Sequence, residues 1–203
     1  GINRANIVLN VIKETKNISE KTSAQFRAEA CFLRALFYFE AWLVFGDKMP
    51  LISEDTKNPA KVSNKNPEGA VLAFIVKDLK YAWENLPAVQ AQPGRSTKYA
   101  AMALAARSYL QELDYSGAKP LIDNIINSGK YSLMPHFFDN FRIEKENNAE
   151  SIFEIQANVN DINESLNAEM GIGLNWPHGG DIGMCCGFHQ PSQNLVNAYK
   201  VDA

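Results

Sequence analysis

The segment from Ala30 to Phe45 constrains the fold of this chain more than any other part of the sequence. It is apolar except for Arg34 and Glu40, and it is shorter than the roughly 20 apolar residues that a membrane-spanning helix needs. It therefore predicts a helix that is buried in protein on nearly every side. We expect the two charged side chains to be paired structural charges, because an unpaired charge is costly to bury.

This segment belongs to a longer helix that is predicted to lie between neighbouring helices. Capping residues at 19–22 mark its start, and Gly46 with Asp47 marks its end. Its apolar side chains fall on two faces, which is typical of a helix with partners on both sides. The first face consists of Phe26, Ala30, Leu33, Phe37 and Val44, and the second consists of Ala35, Tyr38, Trp42 and Phe45.

Four further helices are predicted from the spacing of apolar residues, at 3–17, 67–86, 97–113 and 116–128. The last two match the tetratricopeptide pattern, in which small residues let two helices approach closely and a tyrosine fills the gap beside them. Those positions are occupied by Ala106, Tyr109 and Ala118. The predicted fold class is therefore mostly α, a tetratricopeptide-like helical repeat scaffold with irregular, loop-rich insertions.

Two regions are predicted along the chain. Residues 1–156 make up the helical scaffold. Residues 157–203 form an irregular loop region that is rich in glycine, asparagine, histidine and aromatic residues, and a further helix starts near its end. We expect this second region to continue into a C-terminal part that is not in this chain.

The chemistry of the sequence favours binding over catalysis. The net charge of -3 provides no basic surface for nucleic acid, and the motifs typical of phosphate cradles, nucleophile elbows and metalloprotease helices do not occur. We therefore predict no catalytic residues and no cofactor. Cys185, Cys186 and His189, with His178 nearby, are zinc-ligand types, but adjacent cysteines bind one ion poorly. Ordinary loop packing without a metal is the prediction.

Ligand-binding residues are predicted in the irregular region, because function concentrates on loops that a rigid scaffold holds in place. Trp176 and Phe188 offer flat apolar rings on which sugar rings stack, and Asn175, His178 and Asp181 are close enough in sequence to bind the hydroxyls. The alternative is that these rings only pin the loop to the helical core. The sequence leaves both interpretations open.

Several runs keep the order and spacing of a family signature. The run AEACFLRALFYF at 28–39 is followed by FGDKMPL at 45–51. Later runs are KDL at 77–79 with LP at 86–87, GRSTKYAA at 94–101, SGKYSL at 128–133, ESIFEIQ at 150–156 and QPSQNLVNAY at 190–199. Together these runs resemble the motifs of the SusD/RagB family, the surface glycan-binding lipoproteins of Bacteroidetes, of which this chain is expected to be an internal fragment.

The resemblance implies a protein at the cell surface, held to the outer membrane by an N-terminal lipid anchor that is not in this chain. It implies an oligosaccharide ligand that is delivered to a SusC-like TonB-dependent transporter. The family motifs do not identify ligand-binding residues in this chain, because Cys185, Cys186, Gly187 and Phe188 stand where relatives often carry Gly-Trp-Gly. The alternatives are a helical-repeat scaffold that binds a peptide or protein and an enzyme built on residues 185–189.

Overall fold

The computed structural model of the chain describes residues 1–156 and 193–198. Residues Gly1–Ile155 form one compact unit, and Gln156–Ala203 form a second. Within the described residues the regular structure is helical and contains no strand, which confirms the mostly α fold class. No helix in this part of the chain is long and apolar enough to cross a membrane. The α-helices are α1 (Ile2–Glu14), α2 (Glu20–Phe45), α3 (Ala70–Asn85), α4 (Lys98–Gln111), α5 (Tyr115–Asn127) and α6 (Gln193–Ala198), and short 3-10 helices span Pro59–Lys61, Phe137–Phe141 and Ile143–Lys145.

Consecutive helices pack against one another through the first unit. Helix α1 contacts α2, α2 contacts α3, α3 contacts α4, and α4 contacts α5. This order, in which each helix contacts its neighbours in sequence, is the packing of a helical repeat. It confirms the tetratricopeptide-like scaffold that the spacing of small and aromatic residues predicts.

Side-chain caps fix where three helices begin. Ser19, Thr97 and Asp114 each accept a hydrogen bond from the backbone N–H three residues further on, at 3.1, 3.1 and 2.9 Å. Such a bond satisfies one of the N–H groups that have no partner at a helix start. The predicted starts of α2, α4 and α5 are therefore correct within two residues, since local side chains determine them.

Helix α3 begins later than the sequence predicts, because its cap comes from a distant residue. Gly46 ends α2 with a positive φ of 56°, a conformation that glycine adopts without strain. The next residue, Asp47, accepts hydrogen bonds from the backbone N–H groups of Gly69 and Val71 at 2.8 and 2.9 Å. Helix α3 therefore begins at Ala70, and the carboxylate of Asp47 joins the end of one helix to the start of the next.

The second apolar face of α2 forms the centre of the core. Ala35, Tyr38 and Trp42 are buried there together with Ile75 and residues of α4. The hydroxyl of Tyr38 accepts a hydrogen bond of 2.7 Å from the backbone N–H of Ile52. This bond holds the long connection between α2 and α3 against the core. Phe45, at the last position of the helix, is exposed.

The first apolar face of α2 is not covered as predicted. Ala30 is buried, whereas Phe26, Leu33, Phe37 and Val44 are 42% to 74% exposed. Helix α1 contacts α2 but leaves most of this face open. Helix α2 thus lies between α1 and α3, as predicted, but the prediction that it is buried on nearly every side is wrong for the described residues.

One of the two charges in the segment from Ala30 to Phe45 also departs from the prediction. Arg34 is buried and paired with Asp78, as expected. Glu40 is exposed to solvent, because it lies three residues after Phe37 and four before Val44 and so shares their uncovered face. A charge in an otherwise apolar run does not have to be buried when the helix leaves one side uncovered.

Helices α4 and α5 form a close pair across the connection at 112–114. Ala106 and Ala118 are both buried. A Cβ atom at Gly117 would lie 2.8 Å from the ring of Tyr109, so the tyrosine ring packs directly on the backbone at the start of α5. The predicted pairing is confirmed, and Gly117 joins the small residues that permit it.

Candidate functional site

The predicted ligand-binding residues lie outside the described part of the chain. Asn175, Trp176, His178, Asp181 and Phe188 all fall within 157–192, as do the possible zinc ligands Cys185, Cys186 and His189. Their roles stay predictions. In the residues that the structure describes, no group of histidine, cysteine, aspartate and glutamate side chains is arranged to hold a metal ion.

A buried charge network connects three helices and the long connection. The Arg34 guanidinium donates two hydrogen bonds to the Asp78 carboxylate at 2.6 and 2.8 Å. It donates two more, each of 2.6 Å, to the side chains of Asn6 and Glu54. Its planar face lies 5.0 Å from the centre of the Phe74 ring. The network therefore joins α1, α2 and α3 to the connection that follows α2.

Electrostatics keep this network charged. Burial by itself lowers the pKa of Arg34, but the hydrogen bonds to Asp78 and Glu54 raise it above the ordinary value. Burial raises the pKa of Asp78, and the guanidinium opposes that rise. Burial also acts to raise the pKa of Glu54, yet the hydrogen bond from Arg34 brings it below the ordinary value. These carboxylates are held by a permanent cation, so their role is structural.

The neighbouring thiol is inert for a similar reason. Burial raises the pKa of Cys31 to about 12, with a smaller contribution from the negative charge of Asp78. A thiol with such a pKa carries almost no nucleophilic thiolate at neutral pH. Cys31 thus behaves as the small buried hydrophobe that its position in α2 predicts.

Other motif residues also contact one another. Arg95 donates two hydrogen bonds to the Glu29 carboxylate at 2.6 and 2.7 Å, which ties the loop before α4 to α2. Phe153 packs edge-on against Phe32 with ring centres 4.9 Å apart. The family signature in residues 28–156 therefore consists largely of residues that hold the scaffold together.

An exposed aromatic cluster, formed by Phe137, Phe138 and Phe141, is the surface feature that sequence reasoning missed. The rings of Phe138 and Phe141 lie 5.7 and 5.3 Å from that of Phe137, and all three side chains are about 70% exposed. In the sequence they are marked only by their density, since three of the five residues at 137–141 in a polar loop are phenylalanine. Exposed rings provide flat apolar faces that stack on other flat apolar groups.

Hydrogen bonds hold the loop that carries the aromatic cluster. The Glu150 carboxylate accepts bonds from the backbone N–H of Met134 and the side chain of Asn140, at 2.9 and 3.0 Å. These bonds lower the pKa of Glu150. Asn148 donates a further bond of 3.1 Å to Asn140. The cluster is therefore presented by a loop that is already ordered, which reduces the entropy lost when a ligand binds.

A second surface feature is the α1–α2 groove, an open cavity of about 740 Å³. Ten of its fourteen lining residues are apolar, and the polar ones are few. The apolar lining residues are Ala5, Ile7, Val8, Val11, Ile12, Ile18, Phe26, Ala30, Leu33 and Phe37. This groove is where the first face of α2 remains uncovered.

Comparisons with known proteins identify relatives of this scaffold. A model of the SusD-like family, described as starch-binding and associating with the outer membrane, matches residues 1–110. SusD-like protein P25 of Formosa agariphila is 30% identical over 160 residues, which are 76% of this chain and 30% of that protein. The crystal structure of a SusD-like protein from Bacteroides fragilis superposes with a TM-score of 0.69 at 27% identity, covering 79% of this chain and 32% of that one.

A further solved structure is that of a relative whose ligand is named. A laminarin-binding SusD-like protein superposes with a TM-score of 0.68 at 28% identity, covering 75% of this chain and 34% of that one. This chain therefore spans about a third of the length of the relatives it matches.

Proposed function

Because this chain belongs to the SusD-like family, we propose that the full-length protein binds oligosaccharides at the outer face of the outer membrane. The observation that carries the proposal is the similarity of 75% of this chain to a laminarin-binding relative, with a TM-score of 0.68. We propose further that a lipid anchor holds the protein at the cell surface and that it passes its ligand to a SusC-like TonB-dependent transporter. The family description, which includes association with the outer membrane, supports this location.

The ligand contacts that we propose are aromatic. Trp176 and Phe188, with Asn175, His178 and Asp181 as hydrogen-bonding neighbours, remain the proposed site in the irregular region. Among the described residues, the exposed aromatic cluster at 137–141 is the surface whose chemistry suits the apolar face of a sugar ring. Its ordered loop supports the assignment, because a rigid surface loses little entropy on binding.

The protein is proposed to bind its ligand without altering it. In the described residues, Arg34 binds both carboxylates of the buried charge network, those of Asp78 and Glu54. A general acid or base must be free to exchange a proton with the substrate, and these groups are not. Release to a transporter also requires modest affinity, on the order of micromolar to millimolar, or about -8 to -4 kcal/mol.

A second candidate function is the binding of an apolar peptide in the α1–α2 groove, and it requires that this groove is open in the full-length protein. Helical repeats commonly present extended surfaces to peptides. This candidate predicts that ligand binding is lost when the groove is altered and is unaffected when the aromatic cluster is altered.

Affinity electrophoresis of the full-length protein through gels that contain laminarin or xyloglucan tests the proposal. We expect a mobility shift with at least one glycan. The shift should weaken in Trp176→Ala or Phe188→Ala, or in Phe138→Ala combined with Phe141→Ala. The matched control is Leu133→Ala, which removes an 82% exposed side chain from the same loop without removing a ring. If no glycan in a broad panel retards the protein, the proposal is wrong.

A further inference from the structure

We propose that in the full-length protein the α1–α2 groove is filled by a helix from outside residues 1–203, which packs its apolar face against Val8, Val11 and Leu33. The starting observation is the uncovered first face of α2. Ile7 and Val11 on α1 are 53% and 56% exposed, and they face Leu33 and Phe37 of α2 across the groove. A contiguous apolar surface of this kind is uncommon on a folded monomer unless something binds there.

The dimensions of the groove suit one helix. Its lining extends along α1 from Gly1 to Thr15, and at 1.5 Å per residue that is about 20 Å. A helix of three to four turns, the usual length in globular proteins, covers the same distance. The groove would then be one more helix–helix contact of the kind that α1 to α5 already make.

The chemistry of the groove favours an apolar helix over the proposed sugar ligand. A glycan needs hydrogen-bond partners for its hydroxyls, since a polar group that is buried without one costs several kcal/mol. Of the three polar side chains in the lining, Glu29 already binds Arg95 and the hydroxyl of Thr15 donates to the carbonyl oxygen of Val11, which leaves Arg4 beside ten apolar residues. The apolar stripe of an amphipathic helix meets no such penalty.

The length of the relatives indicates where that helix comes from. This chain corresponds to between 30% and 34% of each relative described above, so about two thirds of such a protein lies outside it. A segment of the same polypeptide is present at an effective concentration in the millimolar range. It therefore outcompetes a separate protein partner at ordinary concentration for binding in an apolar groove.

Thiol labelling of the full-length protein tests the inference. Val11→Cys places a thiol in the groove, and Asn10→Cys places one on the neighbouring exposed residue, which does not line it. Each variant is treated with a maleimide under native conditions, and peptide mass spectrometry separates these thiols from the native cysteines. We expect the groove thiol to react at least about tenfold more slowly than the control. This ratio of rates should stay the same over a hundredfold dilution of the protein.

Two results would overturn the inference. Equal rates for the two thiols would mean that the groove is open in the full-length protein, and protection that disappears on dilution would mean that a second copy fills it. A photo-crosslinker attached through Val8→Cys identifies the occupant. We expect a crosslink to a peptide of the same chain outside residues 1–203, and a crosslink confined to peptides within 1–203 would equally overturn the proposal. Neither readout depends on glycan binding, so the outcome is independent of the proposed function.

Discussion

Replacing Arg34 with methionine leaves the Asp78 carboxylate buried without its cation, whereas Glu54 keeps the more distant Lys13 and Arg27 at 3.8 and 3.9 Å. The side chains of Asp78 and Glu54 are only 6% and 7% exposed, and the arginine that would be removed makes four hydrogen bonds of 2.6 to 2.8 Å in this network. Methionine has a similar length and fills much of the same space. The change therefore isolates the loss of charge and hydrogen bonds from the loss of packing.

The expected loss of stability is about 3–5 kcal/mol, the range for removing one partner of a buried ion pair. With a urea m-value of about 2 kcal/mol/M, the unfolding midpoint should fall by roughly 1.5–2.5 M. Far-ultraviolet circular dichroism of the full-length protein in urea measures this midpoint. The matched control is Arg142→Met, which removes an ion pair to Asp139 from a side chain that is 64% exposed. That control should change stability by less than about 1 kcal/mol.

Two further measurements sharpen the prediction. Asp78→Leu in the Arg34→Met background should restore part of the stability, because an apolar side chain is less costly to bury than an unpaired carboxylate. The deficit of Arg34→Met should also shrink as the pH falls from about 7 to about 5. Without the cation, burial raises the folded-state pKa of Asp78 above the unfolded value, so protonation favours the folded state. A loss as small as that of the Arg142→Met control would refute the account of the network.

Three other substitutions or reactions test separate parts of the scaffold. Gly117→Ala should destabilise the protein by about 1–3 kcal/mol in a thermal melt, because the new methyl group overlaps the ring of Tyr109; an unchanged melting temperature would contradict the close approach. Asp47→Ala should lower the stability in urea by about 1–2 kcal/mol through loss of the α3 cap, whereas the exposed control Asp55→Ala should lower it less. The Cys31 thiol should resist iodoacetamide up to about pH 9, since burial raises its pKa to about 12; alkylation at the rate of free cysteine, read by peptide mass spectrometry, would show that it is accessible and ionised.

The sequence predicts the helices well because the signals that define them are local. Apolar spacing locates the five helices of residues 1–127, and side chains such as Ser19 and Thr97 cap them within one turn. The small residues Ala106 and Ala118 predict the α4–α5 contact, since close approach of two helices requires small side chains. The family motifs point the same way, and the structure gives their physical reason in pairs such as Arg34 with Asp78.

What the sequence does not predict are features that depend on distant parts of the protein. The start of α3 depends on Asp47, which lies far away in sequence. Glu40 and the first face of α2 look buried by composition, yet burial is decided by which neighbours are present. No periodic spacing of residues in the sequence marks the aromatic cluster. The ligand-binding residues proposed at 175–188 lie outside the described residues and stay a proposal.

Isothermal titration calorimetry of the full-length protein with laminarin oligosaccharides, followed by chromatography of the recovered sugar, tests the central claim most directly. The account predicts saturable binding with a Kd on the order of micromolar to millimolar and recovery of the oligosaccharide at its original length. The titration is extended to xyloglucan oligosaccharides if laminarin gives no heat. Shortened sugar would contradict binding without turnover, and the absence of binding to every oligosaccharide in the panel would contradict the glycan-binding function itself.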